Sequence, residues 1–393
     1  MTDNHRLSRL RNDVAIIGAA DTDYALDYNL ARRNEVCKDS YGYAALAFAR
    51  ALKDAGLKRS DIDGLVVGTP LATERTGEVL GLDVRWGSQA DSVNALLQAV
   101  LAVHAGLAEC VALVYGNAQR SRRIEYGGDQ SDGSKFLAYV QYAPWGLTSQ
   151  GALYAMMTRR YMELHGVTQE QLGQIAISQR HYASMNPNAV MRKPIDTGTY
   201  LASKFVCEPL RLFDYCLVND GGVALIVTTT ERARRARKPA VLVSGIGRSD
   251  MNVDATSLRP RFMDFYHPAH REAADALCKM AGLGPSDIDL VQVYDSFSAH
   301  VLYALEGFGY CGEGDAGRFI ASGATGPRGS LPVNTSGGHL SESYMQGWNH
   351  QVEIVRQLRG EAGERQVANA RHAHYISDVA GKVVGLIYSR AGI

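Results

Sequence analysis

Short apolar runs that end in glycine alternate with longer amphipathic stretches along this chain. Val14 to Gly18 and Val241 to Gly245 read as strands, and Gly64 to Gly68 and Leu290 to Tyr294 read as a second strand after each. Between them, Tyr43 to Asp54 and Glu272 to Met280 carry the helical spacing. The junction between helix and second strand is nearly the same peptide both times: A-G-L-K-R-S-D-I-D at 55–63 and A-G-L-G-P-S-D-I-D at 281–289. Strand, helix, strand therefore occurs twice, more than two hundred positions apart. That spacing predicts two homologous domains, each an α/β unit with helices on its sheet. The boundary is expected where T-E-R-A-R-R-A-R gives way to K-P-A-V-L-V, dividing the chain into 1–235 and 236–393.

Within the first half, Ser92 to Ala105 is apolar on nearly every side, which predicts a helix buried between layers. Asp91 and Ser92 are candidate N-caps, and Gly106 is a candidate stop. Residues from about 118 to 208 read as a long excursion from the layered core. It opens with the glycine- and serine-rich Gly127 to Ser134 and continues through Tyr139, Tyr142, Trp145 and Tyr154 into a helical Gly151 to His165. These aromatics either line a flat apolar cavity or belong to the core.

Composition narrows the classes of function. The 393 residues suffice for two full cores, and 46% hydrophobic with 21% charged content is that of a soluble enzyme. Lys+Arg and Asp+Glu both number 41, so neither nucleic acid nor a polybasic membrane contact is expected. A local basic cluster, Arg120, Arg122 and Arg123, is either a phosphate contact or a solvated loop. The six cysteines form no C-x-x-C pair and no zinc-ligand spacing, which fits buried free thiols in a reducing compartment. The N-terminal stretch lacks an apolar secretory core, and no run approaches membrane-span length, so a cytoplasmic protein is expected.

The chemistry-bearing residues cluster in two segments, V-Y-D-S-F-S around Tyr294 and N-T-S-G-G-H-L-S-E-S-Y ending at Tyr344. These segments, with A-G-L-A-E-C-V (105–111) and N-D-G-G-V-A (219–224), resemble the thiolase superfamily over nearly the whole chain. The resemblance is nearest to its lipid-transfer-protein-like branch. It implies the thiolase fold, two homologous βαβ-type domains in an α-β-α-β-α arrangement. It also exposes departures. The position of the nucleophilic cysteine, at the start of the buried helix, falls on Gln89. Where thiolases carry Asn or His and the histidine of G-H-P, this chain has Tyr294 and Tyr344. No cysteine follows Cys311, so the final catalytic thiol is missing too. Without those thiols an acyl-enzyme is not expected.

The paired tyrosines, L-S-E-x-Y and Q-L-R-G (357–360) are similar to the steroid side-chain retro-aldolases of cholesterol-degrading actinobacteria. That similarity implies cleavage of a 17-hydroxy-3-oxo-4-pregnene-20-carboxyl-CoA type substrate to an androstenedione-type ketone and propionyl-CoA. It also implies a homodimer, extended to a heterotetramer by a small OB-fold protein, with an associated enoyl-CoA hydratase. Coenzyme A enters as part of the substrate, and no separate cofactor or metal is expected. The thioester is itself the electron sink, so the cleavage needs a proton acceptor for the hydroxyl and donors for the enolate. Tyr294 is expected as the base, although a phenol's ordinary pKa near ~10 makes it a poor one unless shifted. Tyr344 is expected to stabilise or protonate the enolate. Asp295 and His339 either orient the tyrosines or shape the loop. His300, His372 and His374 read as core or surface histidines. A thiolase-like shell that only carries lipid or acyl-CoA, and a divergent acyltransferase, are the competing readings.

Overall fold

Period-two alternation sorts the strand side chains onto two faces, and the structure puts a different core on each. The computed structural model describes residues 10–124, 145, 149–251, 261–379 and 382–392. Its strands are β1 (Val14–Asp21), β2 (Gly64–Val67), β3 (Trp86–Gln89), β4 (Cys110–Ala118), β5 (Phe205–Cys207), β6 (Leu210–Arg211), β7 (Asp220–Thr229), β8 (Val241–Asp250), β9 (Leu290–Val293), β10 (His372–Ser377) and β11 (Lys382–Arg390). The principal helices are α1 (Tyr24–Arg32), α2 (Ser40–Ala55), α3 (Ser92–His104), α4 (Gln150–His165), α5 (Gln169–Ser184), α6 (His267–Ala281), α7 (Ala299–Gly307) and α8 (Trp348–Arg359).

Nine strands join in the order β3-β2-β4-β7-β1-β8-β11-β10-β9. The order is a palindrome in which β1, β7, β4 and β2 answer to β8, β11, β10 and β9. The fifth strand also has a trace of a counterpart: Val333 bridges Val291 in parallel, as β3 does β2. At the seam β1 and β8 pair through only two residues, Ala15 with Leu242 and Ile16 with Val241.

Three apolar clusters define the layers. Ala15, Ile17, Leu65, Val67, Ala112 and Val114 pack under α2. Their alternates Val14, Ile16, Val66, Val111 and Leu113 face a central layer built from α3 and α8. Val241, Val243, Leu290, Ala373 and Leu386 of the second half face that same central layer. Val291, Val293, Ile376, Val383 and Ile387 point the other way, toward α6 and α7. This is the helix–strand–helix–strand–helix stacking expected of a thiolase fold. The expected all-round burial of α3 is interrupted at Leu101, which is 46% exposed.

The repeated nonapeptide has the same work in each half. Gly56 and Gly282 sit in the left-handed region, φ 71° and 64°, and end α2 and α6. Asp61 and Asp287 then accept the backbone N–H of Lys58 and Gly284 at 2.7 and 2.8 Å. The last aspartate ties neighbouring strand entries together. Asp63 accepts from Glu109 and Cys110, and Asp289 accepts from Arg371 and His372. Gly18 and Gly245 let these helices approach: a Cβ there would lie 2.7 Å from the Ala51 carbonyl oxygen and 2.9 Å from that of Leu277.

In the excursion, α4 and α5 pack on the second half's outer face through Tyr154, Tyr161, Leu172 and Ile175. Tyr154 is a core residue, stacked on Phe297 with ring centroids 4.7 Å apart, rather than a cavity wall. Trp145 is exposed. Gly127 to Ser134, Tyr139 and Tyr142 lie outside the described residues.

Candidate active site

The chain leaves β9 at Val293, so Tyr294 emerges at that strand's C-terminal end. Asn334 fixes the second loop against it. Held at φ 52°, Asn334 accepts the Val293 N–H at 2.7 Å and donates to the Val293 carbonyl at 3.1 Å. Gly338 follows with φ 59°, where a Cβ would come within 2.4 Å of the Asp295 carboxylate. Tyr344 is then held from the first half. Its N–H donates to Asn219 Oδ1 at 2.8 Å, while Asn219 Nδ2 donates to Ser343 Oγ at 2.8 Å. Asn117 Nδ2 reaches the Tyr344 carbonyl at 3.4 Å.

The two phenols meet. Tyr294 Oη and Tyr344 Oη are 2.9 Å apart, with their rings nearly perpendicular at 88°. His339 lies edge-on to both, 4.7 Å from the Tyr294 ring and 5.0 Å from that of Tyr344. Tyr294 is buried and Tyr344 only half-buried. Burial, and then the adjacent Tyr344, push the Tyr294 phenol well above its ordinary pKa.

Beneath the phenols, Asp295 organises the loop. It accepts the His339 backbone N–H at 3.0 and 3.1 Å and faces His350 Nε2 at 3.0 Å. The Gly347 N–H donates to His339 Nε2 at 2.9 Å, so that ring's proton belongs on Nδ1, which points to Asp295 at 3.5 Å. Burial first, and then His350, lower His339 to a pKa of about 3. The ring beside the phenols is therefore neutral and cannot lower a phenol's pKa by charge. Burial alone would raise the Asp295 carboxyl, but the hydrogen bonds from the His350 ring and the His339 backbone N–H hold it below the usual carboxylate range. Asp295, His339 and His350 are also a set whose ligand atoms lie close enough, within 4.8 Å, to hold a metal ion.

Gln89, the residue expected at the lost nucleophile position, ends β3. Its amide donates to the Thr69 and Leu71 carbonyls at 3.2 and 2.6 Å, bracing a loop. The Cys216 thiol is close enough to Tyr294 and Asp295 to be felt electrostatically by both. Burial and then Asp295 push it up to about 12, so it is not a thiolate. His300 and Asp378 form a separate, fully buried tie: Asp378 holds His300 Nδ1 at 2.5 Å and His270 Nε2 at 3.2 Å. His300 Nε2 meets Ser296 Oγ at 3.1 Å, which anchors the Tyr294 loop from below. His374 is buried under Phe308 and bonded to Tyr310, as a core histidine.

Sequence reading missed Asn219, Asn117 and His350. Asn219 had a signal, since it opens the N-D-G-G segment, but its partner is 125 positions away.

The thiolase C-terminal domain-like family matches residues 253–384. A steroid side-chain-cleaving aldolase of Thermomonospora curvata is 34% identical over 90% of this chain and 92% of that protein. The chain belongs to the steroid side-chain-cleaving aldolases of the thiolase superfamily. A 17-hydroxy-3-oxo-4-pregnene-20-carboxyl-CoA lyase of Mycobacterium tuberculosis is 32% identical over 96% of the chain and 99% of that protein. A solved structure, the Ltp2-ChsH2(DUF35) aldolase, superposes with a TM-score of 0.87 at 30% identity, covering 98% of this chain and 99% of that one. This aldolase is a carbon–carbon lyase. Among the described residues, no helix is long and apolar enough to cross a membrane.

Proposed function

We propose that this aldolase cleaves a steroid β-hydroxyacyl-CoA, of the 17-hydroxy-3-oxo-4-pregnene-20-carboxyl-CoA type, to a 17-keto steroid and propionyl-CoA. The observation that carries the reading is the 2.9 Å contact between the Tyr294 and Tyr344 hydroxyls. A lone phenol is a poor base at neutral pH, and burial makes Tyr294 poorer. A pair avoids the difficulty, because each oxygen can take one proton while giving another.

In the proposed relay the substrate hydroxyl gives its proton to Tyr344 Oη, the less buried partner. The proton of Tyr344 crosses to Tyr294 Oη, and that of Tyr294 passes to the α-carbon of the thioester. The electron pair of the breaking carbon–carbon bond becomes the enolate's and is quenched by that last proton, while the oxygen left behind becomes the ketone. Reactant and products balance, and neither phenol ends ionised. This order makes Tyr294 the donor to the enolate and Tyr344 the acceptor, the reverse of the sequence expectation.

The direct test is to incubate the enzyme with that thioester and measure propionyl-CoA and the 17-ketone by mass spectrometry. Tyr294→Phe and Tyr344→Phe should each lower kcat by about 10²–10⁴-fold. Two near-normal variants would sink the relay. We read the reaction as free of metal and of any dissociable cofactor, so EDTA should leave kcat unchanged. A loss that added zinc restores would instead assign a metal to Asp295, His339 and His350.

The same reading includes a cytoplasmic homodimer joined to a small OB-fold protein in a heterotetramer, and an enoyl-CoA hydratase that supplies the β-hydroxy substrate. The outer edge of β3, unpaired among the described residues, supports a subunit contact there. An acyltransferase would need a thiolate, and neither Gln89 nor Cys216 can supply one. A pure carrier has no need for two hydroxyls held in contact.

A further inference from the structure

Two residues past Tyr294, the same loop carries a second chemical arrangement. Ser296 Oγ lies 3.1 Å from His300 Nε2, and His300 Nδ1 lies 2.5 Å from Asp378 Oδ1. Hydroxyl, imidazole and carboxylate are thus linked in the order of a serine nucleophile, its base and the group that orients the base. Burial would raise the Asp378 carboxyl, but His300 and His270 hold it well below the ordinary carboxylate range. An ionised Asp378 keeps the imidazole proton on Nδ1, which leaves Nε2 free to accept from Ser296. The ring is packed between Tyr154 and Phe297, at centroid distances of 4.5 and 6.2 Å.

The next hydroxyl along the chain provides a contrast. Ser298 Oγ donates straight to Asp214, with no imidazole between, and that carboxylate also takes the Tyr200 hydroxyl and the Arg211 N–H. Access differs as well. Ser296 is 9% exposed and Tyr294 8%, whereas Ser298, His300 and Asp378 are fully buried. The Ser296 carbonyl accepts the Cys216 N–H at 3.0 Å, which fixes the backbone beneath the hydroxyl. Among the described residues no hydrogen bond engages the Phe297 N–H, so one backbone donor is left beside Ser296 for a developing oxyanion.

We propose that Ser296, His300 and Asp378 are a second catalytic centre, which hydrolyses short acyl thioesters through an acyl-serine. The proposal rests on the lyase reading only for bringing a thioester, the propionyl-CoA it releases, to this loop. Ser296 Oγ attacks the thioester carbonyl carbon while its proton passes to His300 Nε2. The carbon–sulfur bond breaks, His300 returns the proton to sulfur, and coenzyme A leaves as the thiol. Water then gives a proton to His300 and its oxygen to the acyl carbon. The ester bond breaks, Ser296 recovers its proton, and the carboxylic acid departs. Acyl transfer to carbon is closed to this chain without a thiolate, but transfer to water needs only this hydroxyl and its base.

The first test labels the native enzyme with a fluorophosphonate and maps the adduct by peptide mass spectrometry. A single adduct on Ser296 is expected; no adduct, or one elsewhere, overturns the proposal. His300→Asn should slow the labelling by about 10²-fold or more. The second test incubates the enzyme with propionyl-CoA and follows free thiol with a colorimetric reagent. Thiol release should exceed that in buffer and fall at least tenfold in Ser296→Ala, while Ser296→Cys, which keeps a nucleophile, should hold a propionyl adduct at that position. No release by native enzyme, or equal release by Ser296→Ala, overturns the activity. Should the variants fail to fold, the adduct map and thiol release of the native enzyme decide the matter. Neither readout involves carbon–carbon cleavage, so a wrong lyase substrate and a wrong hydrolytic centre give different results.

Discussion

At the level of single residues, Tyr344 depends on groups that grip its backbone. Asn219 holds its backbone N–H and, through Ser343, the residue before it. Asn219→Ala should therefore lower kcat by about tenfold or more while leaving KM within about twofold, since misplacement by an ångström is costly. Asn219→Asp, which keeps the acceptor, should recover part of the loss. Cys216→Ala should keep near-native turnover, and a dead variant would return thiol chemistry to consideration. If the relay operates with both phenols protonated, kcat should not climb between pH 7 and 9, as it would were a phenolate required. The tyrosines were legible because they sit inside recognisable segments. Their supports were not, because His350 meets Asp295 across 55 positions and Asn219 meets Tyr344 across 125. Such pairings leave no local pattern.

At the level of elements, legibility followed periodicity. The strands and outer helices of both halves showed clear alternation or helical spacing, and their shared nonapeptide marked equivalent joints. Replacing Asp289 or Asp63 by Ala should test that equivalence. Each removes a carboxylate that accepts two N–H groups at the start of a neighbouring strand, and each should cost about 2–3 kcal/mol by urea unfolding. The helix α8 is different. It carries Asn349, His350, Gln351, Glu353 and Gln357, all buried, so it does not read as a core helix. Several of its polar groups meet partners far along the chain. Glu353 accepts from Thr335, Gln357 and Arg365, and His350 bridges Gln292 and Asp295. A buried helix written largely in polar residues defeats any hydrophobic pattern.

At the level of the whole molecule, acid should be the weakness. Burial lowers His339 and His374 to about 3 and His267 to about 4, against an ordinary 6.5. Each stays neutral when folded but takes a proton when unfolded, so each draws stability down as pH falls from about 6.5 toward 4. Asp295 and Asp378, held below the usual range, remove more as pH falls further, through their folded values. Glu342, pushed up to about 8 by burial and then by Glu353, acts the other way; its contribution is full below about 4.5 and gone above 8. Asp27, pushed up to about 6 by burial, and Asp214 and Asp220, also raised by burial, act with Glu342 against the histidines. The two sets offset each other, so Tm should fall steeply only below about pH 4, where Asp295 and Asp378 take up protons. A Tm unchanged between pH 5 and pH 2 would contradict this. The halves are also clamped by charge: Arg359 meets Asp54 at 2.7 Å and the Ile17 carbonyl at 2.8 Å, with its side chain 1% exposed. Arg359→Ala should cost about 1–3 kcal/mol, because it takes the guanidinium from a largely buried carboxylate that keeps Lys238 and the Ala19 N–H.

Both phenols are contributed by the C-terminal half, yet the asparagines that grip Tyr344 come from the N-terminal half, and the strand pairing of β1 with β8 between them is two residues long. Chemistry is thus contingent on assembly: a truncated or proteolytically nicked chain has every reacting atom and no alignment. Such fragments should be inert rather than sluggish, so the cell is never exposed to a half-competent enzyme consuming its thioesters.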